Sequence, residues 1–325
     1  MTVLCVNPNP AIDRVAVVNF RRGGTLRPLR SFEWPGGSGV HAGLVAKQLG
    51  SQVEVISVVG GDYGKRFIQL AEENKLIIHP VWNSVETRST FTLIDSEQGN
   101  ICDIAEYGGK ADSSVAESIL ATFERHVTSA SVCVLSGSLL SDLAPNLYQS
   151  MVRLASTKDL PVIVDATGEA LLATTREPVF MVKASLEELS RDGVLGSEVD
   201  AAAVLGRISE WLKAGVKNIC VSLGSSGALW AFEHGMKLLS IVEAAPFNTV
   251  GCGDSLVGAV AADLDQGMDL EHALISGVAA ATANLAYDAP GYCTREDVTK
   301  FRKLVRIENA NLEKISRAIQ ASRPK

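Results

Sequence analysis

The sequence predicts an α/β protein with a parallel, doubly wound sheet and a smaller β-sheet beside it. Three observations carry that prediction. Short apolar, β-branched runs alternate with longer amphipathic stretches as far as residue 223, the pattern of buried strands joined by crossover helices. Hydrophobic residues make up 46% of the 325-residue chain, enough for one large α/β domain with an inserted piece, or for two domains. Two segments, 12–34 and 88–106, interrupt the alternation with extended, mixed-face character.

The parallel strands are expected at 3–6, 53–58, 131–135, 162–165, 179–182 and 219–223. Helices are expected between them, over roughly 39–49, 63–74, 111–126, 143–157 and 199–214. Past residue 223 the order changes. Short strands at 228–232 and 237–242 precede helices at 252–264, 269–287 and 295–305, and a polar tail begins near 307. In the interrupting segments, Ile12-Asp13-Arg14-Val15-Ala16-Val17 and the stretch from Arg88 to Asp95 read as strands. The turn Ser96-Glu97-Gln98-Gly99-Asn100 makes the second a hairpin. Both segments read as one projecting sheet, either a lid over a cleft or a dimerisation surface; the two roles are compatible. The expected division is therefore 1–11, 35–87 and 107–306 for the large domain, 12–34 and 88–106 for the small sheet, and 307–325 for the tail.

Lys and Arg total 30 against 37 Asp and Glu, a net charge of −7. That balance argues against a general nucleic-acid or membrane-surface binder, although a pocket can still be locally basic. Cys5, Cys102, Cys133, Cys220, Cys252 and Cys293 are scattered, with no C-x-x-C pair and no metal-ligand spacing. This suits a reducing cytoplasm. No signal peptide is evident, and the small-residue stretch around 277–286 contains Thr282 and Asn284 and is too short to span a bilayer. A cytoplasmic protein is expected.

The most informative stretch is 248–264. A short apolar approach ends in Gly251-Cys252-Gly253, followed by Asp254 and a small-residue helical run. The glycines allow a tight turn in which several N–H groups point one way at a helix start, which makes an anion site. Asp254 beside it is placed to take a proton from an attacking hydroxyl. The plainer reading is a helix terminus with Asp as cap.

Other motifs are weaker. Gly37-x-Gly39-x-x-Ala42, with Asp62 further on, formally fits a dinucleotide fingerprint. However, Ser31-Phe32-Glu33-Trp34-Pro35 is a poor central strand, because Pro lacks a ladder donor. A glycine turn bringing backbone close to a polar ligand is the better reading. Gly60-Gly61-Asp62-Tyr63-Gly64-Lys65-Arg66 fails the phosphate-loop spacing and reads as a strand-to-helix turn. Ser222-Leu223-Gly224-Ser225-Ser226-Gly227 is a phosphate or adenine loop, or merely a turn. Lys183 reaches a phosphate or is merely exposed. The five histidines are isolated in sequence.

Together these pieces resemble the PfkB family of carbohydrate kinases over about residues 2–305. The resemblance is carried by Asn9-Pro10-Ala11-Ile12-Asp13, by 35–50, and by Thr87-Arg88. It continues through Leu135-Ser136-Gly137-Ser138-Leu139, 165–171, 221–229 and, most specifically, 248–255. The nearest branch is the hexose-phosphate kinases acting on fructose 1-phosphate, fructose 6-phosphate and tagatose 6-phosphate. The resemblance implies a ribokinase-like three-layer α/β/α domain with a small β-sheet lid. It implies ATP, Mg²⁺ and, in some members, a monovalent cation, a small-molecule sugar or sugar-phosphate acceptor, and a homodimer through the lid.

It also implies roles. Asp254 would be the base, and the amides around Gly251, Cys252 and Gly253 the anion hole. Asp13, Gly37, Gly39, His41, Arg88 and Ser138 would face the acceptor. Lys183, Ser185, Ser222, Gly224 and Gly227 would line the ATP site, and Glu188 would organise Mg²⁺ through water. The chain departs from the family pattern at Ser38, where Lys or Gly is common, at His41 for Asn, and at Ala184-Ser185 for Pro-Asn. Lid positions that are basic in the hexose-phosphate branch align with Thr25 and Asp103, and an Asp facing a phosphate repels it. A nucleoside or unphosphorylated sugar acceptor, and a catalytically weak nucleotide- or sugar-binding regulator, are the alternatives.

Overall fold

In the computed structural model, residues 1–21, 23–97, 100–196, 199–241 and 247–322 are described. The chain opens with β1 (Thr2–Asn7) and passes directly into β2 (Ala11–Val18) and β3 (Arg30–Gly36). There follow α1 (Ser38–Gln48), β4 (Gln52–Val59), α2 (Gly61–Glu73), β5 (Ile77–Trp82), β6 (Arg88–Asp95) and β7 (Ile101–Ala105). The middle contains α3 (Val115–His126), β8 (Val132–Ser136), α4 (Leu147–Ser156), β9 (Val162–Asp165), α5 (Gly168–Thr174), β10 (Met181–Ser185), α6 (Leu186–Arg191), α7 (Ala201–Lys213) and β11 (Asn218–Ser222). After a 3₁₀ turn at Gly224–Ser226 come β12 (Ala228–Phe232), β13 (Gly235–Ser240), α8 (Cys252–Asp265), α9 (Leu270–Asn284), α10 (Arg295–Arg302), β14 (Arg306–Asn309) and α11 (Leu312–Ala321).

A ten-stranded sheet in the order β14-β13-β12-β11-β10-β9-β8-β1-β4-β5 forms the middle layer. From β11 to β5 the neighbours run parallel; β12, β13 and β14 are antiparallel additions. Alternate residues of β1 enter different cores, as period-two side chains must. Leu4 and Val6 pack with α3 and α4, whereas Val3 and Cys5 pack with α1, α8 and α9. The chain leaves β1 on one side for β4 and β5, then crosses to β8 on the other. Ligands of doubly wound sheets bind at such a reversal, outside the carboxyl ends of the strands.

The small sheet has the order β3-β2-β6-β7. Among the described residues its one parallel pair is β2 with β6, in a register that sets Asp13 opposite Thr90. The expected poor central strand around Pro35 is thus an edge strand here, with Pro35 near its end. Of the expected hairpin turn, Gln98 and Gly99 lie outside the described residues, as does residue 242 of the expected strand 237–242.

Three expectations need correction. The strand at Ile77–Trp82 was not foreseen; its mixed exposure and Pro80 disguise it, and both suit the sheet edge that it forms. The segment from 307, expected as a tail, instead supplies β14, paired to β13, and α11, which buries Ile315 and Ile319 one helical turn apart. The strand expected at 179–182 runs from Met181 to Ser185, so Lys183 lies inside it and is buried, not exposed at its end. No helix among the described residues is long and apolar enough to cross a membrane.

Candidate active site

The site is built around the start of α8. Gly251 precedes the helix with φ 83°, a left-handed conformation that disfavours a side chain. A Cβ there would also lie 2.3 Å from the Gly291 amide nitrogen. Two buried asparagines hold the turn. Asn248 Oδ1 accepts from the Val250 amide at 2.9 Å, and Asn284 Nδ2 donates to the Val250 carbonyl at 2.9 Å. Asn284 Oδ1 also accepts from Ser255 Oγ and the Tyr292 amide, both at 3.2 Å. Burial pushes the Cys252 thiol up to about 12, so this position contributes an amide and not a thiolate.

Asp254 sits in the first turn of α8 with one oxygen committed. Its Oδ2 is 2.8 Å from His41 Nδ1, and His41 Nε2 is 2.9 Å from Asp13 Oδ2. Burial works against the imidazolium, but hydrogen bonds to Asp13 and Asp254 outweigh it and lift His41 to about 10. The ring is therefore a cation at neutral pH, bridging α1 to both β2 and α8. Asp13 Oδ1 accepts a further bond from Thr90 Oγ1 at 2.8 Å. With both nitrogens occupied, His41 has no ring donor left for an acceptor molecule, contrary to the expectation that it faces one. Gly291 makes room for it, since a Cβ there would lie 2.5 Å from His41 Cβ.

Next to this bridge lies a buried ion pair, Lys183 Nζ to Asp165 Oδ1 at 3.0 Å. Burial disfavours the ammonium, yet the carboxylates of Asp165, Glu188 and Asp254 prevail and hold Lys183 above the ordinary lysine range. A Cβ on Gly253 would lie 2.6 Å from Lys183 Nζ. The missing side chain is what lets this cation reach the start of α8. Asp165 has no role in the motif reading; its readable signal is a carboxylate at the carboxyl end of an apolar strand. Ser185 caps α6 in a capping box. Its hydroxyl accepts from the Glu188 amide at 3.1 Å, and Glu188 Oε2 accepts from the Ser185 amide at 3.0 Å. Glu188, Asp165 and Asp254 line a cleft of about 200 Å³ with Ser38, Gly137 and Ser138. This all-oxygen donor set fits a hard divalent cation.

The lid strands supply the other wall. Arg88 Nε donates to Asn9 Oδ1 at 3.0 Å, and Asn9 Nδ2 donates to Ser138 Oγ at 3.0 Å. Burial pulls the Arg88 guanidinium below its ordinary value, against the carboxylates of Asp13, Asp103 and Glu106. Asp103 pairs across from Thr92, which shares a strand face with Thr90, and Thr92 Oγ1 donates to it at 2.8 Å. Asp103 therefore belongs to the face of the small sheet that carries Asp13. Thr25 is exposed in the β2–β3 connection. Gly37 has φ 109°, and a Cβ on Gly39 would lie 2.6 Å from the Val6 carbonyl oxygen, so both glycines permit close approach to β1.

Ser222 ends β11 in register with Ser185. The following loop needs positive φ at Gly224 (54°) and Gly227 (92°). A Cβ on Gly224 would meet nothing within 4 Å, whereas one on Gly227 would lie 2.0 Å from the Leu239 carbonyl oxygen. The structure thus brings Asp254, His41, Asp13, Lys183 and the Gly251–Gly253 turn together, with Glu188 and Ser138 lining the adjoining cleft. Ser222, Gly224 and Gly227 stand further along the same sheet edge.

A half-buried carboxylate beside a glycine-started helix and a lysine, at the switch point of a doubly wound sheet, suits a group-transfer site for an anionic donor. Comparison with known proteins narrows the class. Residues 11–297 match the pfkB family carbohydrate kinase model, and the chain belongs to that family. The ATP-dependent 6-phosphofructokinase isozyme 2 of Mycobacterium tuberculosis is 27% identical over 310 residues, covering 93% of this chain and 89% of that one. The 1-phosphofructokinase of Bacillus subtilis is 26% identical over 288 residues, covering 86% and 91%. The crystal structure of Escherichia coli phosphofructokinase-2 in complex with potassium covers 93% of this chain and 98% of its own, with a TM-score of 0.80 at 24% identity. That last likeness speaks for the ribokinase-like fold. The chain is an ATP-dependent carbohydrate kinase, transferring a phosphoryl group to a hydroxyl of a sugar or sugar phosphate.

Proposed function

We propose that the acceptor is a phosphorylated hexose and that Asp254 is the base. The observation that carries the reading is the Asp254 carboxylate. One oxygen is tied to a cationic His41, Oδ1 has no hydrogen bond among the described residues, and the Lys183 ammonium lies at the same helix start. In this reading the acceptor hydroxyl donates to Oδ1 and loses its proton there as its oxygen bonds to the γ-phosphorus, while the bond from that phosphorus to the β–γ bridging oxygen breaks and ADP leaves. The amides of 251–253 and Lys183 meet the charge that develops on the phosphoryl oxygens. Asp13, Ser138, Arg88 and the Gly37 backbone hold the sugar. His41 serves as a positioning residue, since it reaches the reaction only through Asp254 and Asp13.

ATP lies along Ser222, Gly224 and Gly227 toward Lys183. Glu188 is the residue to hold Mg²⁺ through water, and bound Mg²⁺ supplies charge neutralisation at the phosphates. Ser185, shorter than the usual Asn, acts by fixing Glu188. A monovalent cation belongs to the same reading, as potassium accompanies the E. coli relative. The support for a phosphorylated acceptor is the pair of phosphofructokinase relatives together with Arg88 at the base of the lid.

Asp103 favours a second reading. On the Asp13 face of the lid, it sets a carboxylate where a substrate phosphate would approach, and neutral hydroxyls suit it better. ATP-dependent turnover across fructose 1-phosphate, fructose 6-phosphate, tagatose 6-phosphate, neutral hexoses and nucleosides separates the two. The proposal expects the highest kcat/KM with a hexose phosphate. A neutral sugar or nucleoside preferred by tenfold or so, about 1.4 kcal/mol, would transfer the assignment to the second reading.

We also propose a homodimer through the small sheet. On its outer face Phe91 is opposite Ile104, and both are exposed. Sedimentation expects a dimer in the wild type and a monomer in Ile104→Glu; a wild-type monomer contradicts it.

A further inference from the structure

We propose that Glu54, His79 and His126 form a binding site for a divalent transition-metal ion of the Zn²⁺ class. The three residues come from β4, β5 and α3, remote in sequence, and converge on one point. His79 Nε2 lies 2.7 Å from Glu54 Oε2, and His126 Nδ1 lies 3.0 Å from the same oxygen. The three donor atoms all fall within 4.8 Å of one another. The two rings face each other at 3.7 Å between centroids, tilted by 33°. Two of the five histidines, isolated in sequence, thus aim a ring nitrogen at a single carboxylate oxygen.

The donor set and its setting select the ion. Two imidazole nitrogens and one carboxylate oxygen, with no thiolate, suit Zn²⁺ or a neighbour in the same row of the periodic table better than Mg²⁺ or Ca²⁺. A tetrahedral ion ~2.0–2.1 Å from each donor holds the donors about 3.3 Å apart. The two nitrogen–oxygen separations, 2.7 and 3.0 Å, are shorter than that, and the nitrogen–nitrogen separation is under 4.8 Å, so small side-chain rotations open the site to an ion. Each side chain is about a quarter exposed, at 23% for Glu54 and His79 and 26% for His126. An ion can therefore enter from solvent, and water can complete its coordination.

Glu54 breaks an apolar row, because Ile56 and Val58 on the same face of β4 are buried. The cluster is separate from the kinase cleft. Glu54 is the third residue of β4, on the α3 face, whereas the cleft lies at the carboxyl ends of the strands. An ion here pins the last turn of α3 to β5, the edge strand of the large sheet. The inference does not rest on the acceptor or on the role of Asp254.

The test uses the full chain, stripped with chelator and titrated with Zn²⁺ without nucleotide. The wild type is expected to retain one equivalent through gel filtration and to gain several degrees in Tm. X-ray absorption of the bound ion is expected to show imidazole scattering. His126→Gln, altered at a helix end, is expected to weaken binding by at least about tenfold. The double variant His79→Gln/His126→Gln is expected to lose the equivalent, with Mg²⁺-supported ATP turnover unchanged. Overturning results are no retained Zn²⁺ in the wild type, an oxygen-only shell in its absorption spectrum, or wild-type affinity in His126→Gln. The first would leave the three side chains as a hydrogen-bonded cluster only.

Discussion

His41 determines what Asp254 can do. As a cation between the buried Asp13 and the half-buried Asp254 it holds Asp254 by one oxygen, and in the proposed reading leaves the other for a substrate hydroxyl. Removing it leaves Asp13 and Asp254 facing each other without a counter-ion. His41→Ala should therefore cost about 3–5 kcal/mol of stability at neutral pH, read by chemical denaturation. The pH dependence follows from the upward shift to about 10. The folded state binds this proton more tightly than the unfolded chain, so the stabilisation is complete below the ordinary histidine value of about 6.5 and fades as pH rises through about 10. The stability gap between wild type and His41→Asn should narrow over that window. A gap unchanged from pH 6 to 10.5 would mean that the ring is neutral throughout. The sequence showed His41 as a departure at an acceptor-facing motif position. That both of its nitrogens are spent was not legible, because Asp13 and Asp254 approach only through the packing of β2 and α8 on α1. The glycine-started helix terminus that carries Asp254 was legible, since Gly251 and Gly253 are its neighbours in sequence.

Helices and parallel strands with apolar periodicity were readable to within a few residues. Elements at the margins, and the short central helices α5 and α6, were not. β5 carries Pro80 and exposed residues because it needs only one partner, and α11 shows just two buried positions in a polar run. The loop at 222–227, proposed for the nucleotide, shows how structure separates two glycines that look alike in sequence. Both have positive φ, but only Gly227 is crowded, against the strand carbonyl at Leu239. Gly224→Val should fold, with about 1–2 kcal/mol of backbone strain, and bind ATP more weakly in a calorimetric titration. Gly227→Val should disturb the β12–β13 pairing and lower Tm first. Undiminished ATP affinity in a well-folded Gly224→Val would move the nucleotide elsewhere.

At the scale of the whole molecule, the small sheet is fastened to the body at several points. Trp34 Nε1 donates to the Pro290 carbonyl at 3.0 Å, Arg30 pairs with Asp288 at 2.6 Å, and Phe247 packs against Val15, Val17 and Ile94. The His41 bridge joins β2 to α8 through Asp13, so in the proposed reading acceptor binding at the lid and placement of the base are mechanically linked. Asp103→Arg tests the acceptor side of this arrangement. One charge change at ~4 Å in a partly wet site is worth on the order of 1–4 kcal/mol. The variant should raise kcat/KM for a hexose phosphate relative to its neutral sugar by roughly tenfold or more. An unchanged ratio would place Asp103 outside the acceptor's reach.

The proposed kinase site has Asp254 taking the acceptor's proton. Its most direct test is steady-state turnover of Asp254→Asn with the best acceptor, alongside ATP titration of the same preparation. Loss of the general base should lower kcat by roughly 10²–10⁴-fold, with ATP affinity held within a few fold because Lys183 and the amides of 251–253 remain. Turnover near the wild-type rate would contradict the assignment of Asp254 and, with it, the reading of the Gly251–Asp254 segment as the reaction centre.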